Sequence, residues 1–595
     1  MSGIAPKNQR ILPILPEMLF DSLNTAWKSL NAASMGIQVA GQNLAHVDTP
    51  GYVREQLLLG TDISKRYRQI DMGTGVQTLG VVQVIDEYLE ERLRTSVSES
   101  ANSTTQENVY ADLEGLLKEL SENDLSTSLD TFYNSISNVL NNPETTSYRD
   151  MAVEAGQDLA DSIKRIADSL LEMQDGINKR VQSSAEEINK LTKQIQQLNI
   201  EISRIESSNA GGTANSLRDD RYVALTALAG QVNIKVTENK NNGTVTVTCG
   251  SHILVDGANR DEVYVDYNTD ARGIAKAFLT SGAMRSKLPV TAGTVAGLYE
   301  GRDTILGDYA TKLDQFTHDL IGEFNAVYAS GQGLTGYKST TSLQSIDDPD
   351  AALGAAAFSY PVRNGGFDLL ITDAKTGVSV TEHVEIKVDP VPMTDPFSLD
   401  PAPTAQGTTL NDLIDSINAI EGVSATLTNR NELKITTDSP EVTFAFGNDT
   451  SGFLTAMGIN TFFTGNGSST IGVDATIAAD PAKFAASTGG VGKDTLNAEK
   501  LAAMPETKNA AFDNLSVTAY YRSIINRVAT DGGTVHAVSA ANTSYQETLQ
   551  AQRNAVSGVN ADDEMLNMLM YQRTYQATAR LVTAINEMLT SLLTI

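Results

Sequence analysis

The sequence predicts a mainly α-helical protein with an α+β insertion: a terminal antiparallel coiled coil, a long helical-bundle rod and a β-rich outer domain. Three observations predict it. Apolar residues recur in alternating steps of three and four at both ends of the chain. An interior run of about 55 residues from Tyr148 keeps the same period. The stretch 336–485 shifts toward Gly, Thr, Asp and Pro and alternates with strand period.

Residues 1–19 read as a flexible leader, because Pro13 and Pro16 break the apolar segment Ile11–Leu19 and no small-residue cleavage site follows. The first helix is expected from Phe20. Its seam is Phe20, Leu23, Trp27, Leu30, Ser34, Ile37, Gly41 and Leu44, with Asp21 or Ser22 as cap and Pro50–Gly51 as terminator. The closing helix mirrors it through Met568, Tyr571, Tyr575, Thr578, Val582, Ile585, Leu589 and Leu592. Ser557 or Asn560, then Asp562, Asp563 and Glu564, give it an acidic first turn that complements the helix dipole.

Two seams without another partner bury one another, so 20–60 and 555–595 form one terminal core domain. The assembly interface is read as Phe20, Leu23, Trp27, Leu30, Ile37, Leu44, Tyr571, Tyr575, Val582, Ile585, Leu589 and Leu592. Ser34, Gly41 and Thr578 weaken the seams, which makes the ends conditional helices that order on assembly. Polar residues opposite the seams, Gln38, Gln42, Gln572, Arg573 and Asn586, would face a hydrated lumen.

Segments 61–335 and 486–554 read as the helical rod domain. Leu159, Ile163, Ile166, Leu170, Met173 and Ile177 form one seam of the long helix. After a one-residue slip it resumes at Val181, Ile188, Leu191, Ile195, Leu198, Ile202 and Ile205, and Gly211–Gly212 ends it. Shorter helices fit 217–228, 295–328 and 515–556. Asn241–Asn242–Gly243 turns a hairpin within 231–270. In 336–485, strands at 378–388, 423–427, 433–435 and 442–446 surround a helix at 410–420, an outer domain with its own core.

Composition narrows the function. Forty-four basic and 73 acidic residues leave a net charge of −29, which argues against nucleic acid or an anionic membrane as partner. Cys249 is the sole cysteine and alternates with Val245 and Val247 on an apolar strand face, so it reads as a small buried hydrophobe. No window approaches a membrane span.

No catalytic, metal or cofactor site is found. The five histidines form no zinc helix, and His383 beside Glu382 and Glu385 faces solvent. Asp266, Asn268 and Asp270 begin a calcium loop, but Ala271 and Ala277 stand where Gly and Glu are needed. Gly492–Lys493 is followed by Asp494, which would repel a phosphate. Gly73, Gly75 and Gly80 read as a plain loop, and Trp27 as core or interface.

Gln42-Asn43-Leu44-Ala45-His46-Val47-Asp48-Thr49-Pro50-Gly51-Tyr52 resembles the N-terminal signature of flagellar rod, hook and hook-associated proteins. Ser557-Gly558-Val559-Asn560, Asp562-Asp563-Glu564, Tyr571-Gln572 and Tyr575-Gln576-Ala577 are similar to the flagellar hook-associated protein 1 family. So are Gly301-Arg302-Asp303 and Glu323-Phe324-Asn325-Ala326. His46 departs from the family, which usually has asparagine there.

The resemblance implies a structural, secreted flagellar subunit at the hook–filament junction. It would be exported by the type III route and polymerise through paired terminal helices. The implied partners are a ring of like subunits, the hook protein, hook-associated protein 3 and an export chaperone at the C-terminal helix. Asn43, Thr49, Pro50, Gly51 and Tyr52 form the structural turn motif. The rival readings are hook-associated protein 3 itself, or a junction protein whose insertion also acts as an adhesin.

Overall fold

The structure is a computed structural model that describes residues 14–67, 70–119, 124–207, 213–388 and 407–594. The chain divides into two compact units. The first comprises Met1–Asn108, Asp175–Gly301 and Thr534–Ile595; the second comprises Val109–Gln174 and Arg302–Gly533.

Helix α1 (Ile14–Ala45) is already helical at the first described residue. Residues 14–19, read as leader, therefore belong to the helix, while 1–13 lie outside the described residues. Pro16 sits in the opening described turn, where proline is tolerated. Asp21 and Ser22 lie inside the helix instead of capping it; Ser22 Oγ donates to the Met18 carbonyl one turn back.

Four strands follow: β1 (Glu55–Thr61), β2 (Ser64–Tyr67), β3 (Ile70–Gly73) and β4 (Val76–Gln83), with β1 paired to β4 and β2 to β3. The glycines expected in a plain loop are thus strand residues or their connector. Gly73 ends β3, Gly75 joins the strands at φ +110°, and Gly80 lies opposite a bulge between Leu58 and Leu59.

Helices α2 (Glu87–Glu119) and α3 (Leu125–Asn141) lead into α4 (Thr146–Glu206), 61 residues and so about 90 Å long. Leu159, Ile163, Ile166, Leu170, Val181, Ile188 and Ile195 of the predicted seam are all buried. Its expected terminator, Gly211–Gly212, lies outside the described residues.

Helix α5 (Asn215–Gln231) precedes a four-stranded sheet in sequential order, β5 (Lys235–Glu238), β6 (Val245–Cys249), β7 (His252–Asp256) and β8 (Asn259–Arg260). β5 and β6 make the hairpin read around Asn241–Gly243, with Gly243 at φ +68°. Cys249 is wholly buried, and burial pushes its thiol up to about 12, so it is inert. Strands β9 (Val263–Thr269), β10 (Ala275–Ser281) and β11 (Ser286–Lys287) form a second antiparallel sheet. Of the would-be calcium-loop residues, Asp266 and Asn268 are strand residues of β9, Asp270 and Ala271 lie in the turn after it, and Ala277 belongs to β10.

Helix α6 (Thr294–Glu300) passes through a π turn at Gly301–Ile305 into α7 (Leu306–Tyr328). The second unit then carries its β-rich part. β12 (Ser339–Ser345), β15 (Val423–Leu427) and β16 (Glu432–Thr437) form one sheet; β13 (Gly365–Asp373), β14 (Ser379–Ile386) and β17 (Val442–Gly447) form another. Helix α8 (Leu410–Asn418), held by a Thr409–Asp412 capping box, buries Leu410, Leu413 and Ile417 in their shared core with Phe367, Leu433 and Phe446. Val378, just before β14, and Val380 within it are exposed, whereas Val384 and Ile386 are buried. His383 is exposed and meets Asp368 at 2.6 Å.

The short helices α9 (Phe453–Met457), α10 (Ala475–Ala479) and α11 (Leu496–Ala503) and the pair β18 (Phe463–Thr464) and β19 (Gly472–Val473) complete this unit. Phe132, Phe324, Phe462 and Phe463 pack at tilted and edge-to-face angles, with ring centroids within 5.5 Å of one another, at its helical core. The long helices α12 (Val517–Ser557) and α13 (Ala561–Leu593) close the chain.

Candidate functional site

Helices α1 and α13 pack as an antiparallel pair. Ser29 Oγ lies 3.5 Å from Thr578 Oγ1, and a Cβ on Gly36 would fall 2.6 Å from the Tyr571 ring. Seven residues forward in α1 thus match seven backward in α13, the register of a heptad seam.

The two helices contribute unequal faces. Tyr571, Val582 and Leu589 of α13 are half-buried, and Thr578 and Ile585 are buried, along the predicted seam. Tyr575 is exposed, and the Leu592 side chain lies outside the described residues. On α1, the large residues are not the most buried ones. Phe20 is 60 % exposed and Trp27 62 %, while Leu23, Leu30, Ile37 and Leu44 are half-buried. The buried stripe is Ala26, Ala33, Gly36, Ala40 and Asn43, with half-buried Ser29, which also steps by three and four. Small residues there let the Tyr571 ring lie on the α1 backbone. A search for bulky apolar residues misses such a stripe.

The turn after α1 is built on Asn43, which is fully buried. Its Nδ2 donates to the Glu55 carbonyl at 2.8 Å, and its Oδ1 accepts from the Glu55 N–H and the Tyr52 hydroxyl, both at 2.9 Å. The side chain therefore pairs like one more strand residue and fixes the helix end to β1. Thr49–Tyr52 is a β-turn closed by Tyr52 N–H to the Thr49 carbonyl. Proline takes its second position and Gly51, at φ +85°, its third. A Cβ on Gly51 would also strike Val223 at 2.4 Å. His46 stacks on Tyr52 at 4.8 Å and meets Thr49 Oγ1 through Nδ1, so the histidine supports the turn.

The same turn is tied to the other end of the chain. Arg54 N–H donates to the Ser557 carbonyl, and Arg553 reaches the Gly51 carbonyl while forming a buried ion pair with Glu90 at 2.9 Å. Asp219 of α5 closes the joint, accepting from Gln83 at 2.7 Å. Burial pushes its carboxyl up to about 7, helped by Glu55 and Asp220, against the Val53 N–H and Arg553. Burial likewise raises the Tyr52 hydroxyl, with Glu55, Asp219 and Glu564 adding to it. The outer side of the turn walls a cleft of about 800 Å³ with Leu93, Val223 and Gln550.

A second cleft, of about 230 Å³, lies between α1, β1 and α13 and is lined by Gly36, Ala40, Arg54, Glu564, Asn567 and Tyr571. The sequence singled out Glu564 only as part of an acidic first turn; the structure buries it. Asn560 is the cap of that turn, accepting from the Asp562 N–H at 3.0 Å.

Away from this seam, α13 exposes Leu566, Leu569, Met570, Leu581 and Met588. The described residues include no cluster of His, Cys, Asp and Glu fit for a metal, and no helix long and apolar enough to cross a membrane.

Known proteins match this chain over nearly its whole length. The flagellar hook-associated protein FlgK helical domain matches residues 110–342, and the flagellar basal body rod FlgEFG protein C-terminal region matches residues 550–595. Flagellar hook-associated protein 1 of Salmonella typhimurium is 24 % identical over 96 % of this chain and 99 % of its own. The Escherichia coli protein of that name is 23 % identical over the same shares. That of Bacillus subtilis is 25 % identical over 53 % of this chain and 68 % of its own. The solved flagellar hook junction protein FlgK from Burkholderia pseudomallei aligns with 78 % of this chain and 100 % of its own, at 14 % identity and a TM-score of 0.47. The chain is similar over nearly its full length to the flagellar hook-associated protein 1 (FlgK) family, proteins of the flagellar hook–filament junction.

Proposed function

We propose that this chain polymerises at the hook–filament junction by packing the exposed apolar residues of α1 and α13 onto neighbouring copies. The observation that carries this reading is the exposure of Phe20, Trp27, Leu566, Met570, Leu581 and Met588 on helices whose opposite faces are already paired. Burying each contributes about 1.5–3 kcal/mol. Six together are comparable with the association cost of about 4–15 kcal/mol. Assembly therefore needs most of the stripe at once, which confines it to a site where neighbours are already in place.

In this reading the subunit leaves the cell through the type III apparatus, with an export chaperone covering the C-terminal helix. It then joins a ring of its own kind between the hook protein and hook-associated protein 3. Antibody raised against the second unit should label purified flagella only at the hook–filament boundary. A chain lacking 1–60 and 550–595 should give no such label in cells without the native protein. Label along the whole filament, or junctions built by the truncated chain, would refute the proposal.

A further inference from the structure

Glu564 lies in the first turn of α13, is only 4 % exposed, and makes no side-chain hydrogen bond or ion pair with any described residue. The N-terminal dipole of α13 stabilises its charge only in part, and a facing cation would add to that. Glu564 lines the cleft of about 230 Å³ between α1, β1 and α13, so there is room beside it for an incoming group.

Arg54 lines the same cleft without forming an ion pair with Glu564, and the arginines of Glu564's own helix cannot reach it. Arg573 and Arg580 of α13 are exposed and have no ion-pair partner among the described residues. Arg573 stands nine residues from Glu564, about 13 Å along the axis and half a turn round it. Arg580 is about 24 Å along. One helix thus presents an unpaired anion on its inner face and an unpaired cation on its back, set among Met570, Ala577 and Leu581. Such a pair is satisfied only between copies, front to back, which is the heterologous contact that closes a ring or a helix.

Building on the proposed assembly, we propose that the Arg573 guanidinium of a second copy enters this cleft and pairs with Glu564. The planar, delocalised guanidinium suits a partly desolvated site, and its long stem packs on Tyr571 and Ala40 as it enters. Of the two free arginines, Arg573 needs the smaller axial offset between neighbours. Its reading from sequence as a lumen residue is replaced by this one. Charge pairing then sets the register that the apolar stripe, being non-directional, leaves open.

The test uses the full chain in cells lacking the native protein. Antibody labelling first establishes that the unsubstituted chain reaches the junction; absence of label there would defeat the assembly reading itself. Arg573→Glu alone should cut junction number at least tenfold, and Glu564→Arg with Arg573→Glu should restore it. A chain with Glu564→Cys and Arg573→Cys should give a ladder of disulfide-linked oligomers from isolated flagella, because these positions lie too far apart on one helix to join within a copy. The purified subunit should keep its melting temperature in Arg573→Glu, which separates assembly from folding.

Unchanged junctions in Arg573→Glu, rescue of Glu564→Arg by Arg580→Glu instead, or absence of the ladder would overturn the pairing. So would an equal fall in subunit melting temperature for Glu564→Gln and Arg54→Gln with assembly intact. That result would make Arg54, on the same cleft wall, the partner within one chain.

Discussion

Asn43 shows how one side chain decides the geometry of a chain end. It meets both the N–H and the carbonyl of Glu55 and also takes the Tyr52 hydroxyl. Asn43→Ala leaves three partly buried groups without this partner, a loss of about 2 kcal/mol. Amide exchange at Glu55 should rise roughly 30-fold, read by hydrogen–deuterium exchange. Asp219 supplies a different signal. Its folded carboxyl is raised from 3.8 to about 7. Its contribution to stability is therefore full below about pH 4 and is lost as pH rises through 7, by at most about 4 kcal/mol. The first unit should melt at a lower temperature at pH 8 than at pH 5, and Asp219→Asn should narrow that gap. A gap of equal width in both chains would show that Asp219 does not set it. The Asn43–Tyr52 motif was legible in the sequence; Asp219 and Glu564 were not, because their burial arises from segments far apart along the chain.

At the scale of elements, legibility followed side-chain size. The α4 and α13 seams were readable because they repeat Ile, Leu, Val and Tyr at helical spacing. The buried α1 stripe of Ala26, Ser29, Ala33, Gly36, Ala40 and Asn43 has the same period but little hydrophobicity, so the outward stripe of Phe20 and Trp27 masked it. Helix α2 was missed for a related reason. Between Leu93 and Val109 its buried positions are Ser96, Ser98, Ser100, Ser103 and Thr105, and there it meets α12 through Ser100–Thr543, Thr104–Ser539 and Ser103–Asn542 hydroxyl and amide contacts. Such a seam carries no apolar signal. The α1 stripe makes a sharp demand on shape. Gly36→Val should separate α1 from α13, because its side chain would enter the Tyr571 ring. Adding Tyr571→Ala should recover much of the lost helix content by circular dichroism; no recovery would show that Tyr571 does not set the spacing.

The whole molecule carries a net charge of −29 together with an apolar stripe on its terminal helices. Mutual repulsion keeps free copies apart in dilute solution, while the stripe rewards contact once copies are held side by side. The helical character and the β-rich segment were evident from periodicity and composition. Two-unit division was not, because α2, α4 and α12 each contribute residues to both units without a break in their pattern.

The exposed indole of Trp27 has a further consequence. It is the chain's sole tryptophan, so all indole emission comes from one point on the face assigned to neighbours. The colour of that emission depends on how much water surrounds the ring. The subunit thus carries a native optical gauge of its own incorporation, readable without any dye or tag.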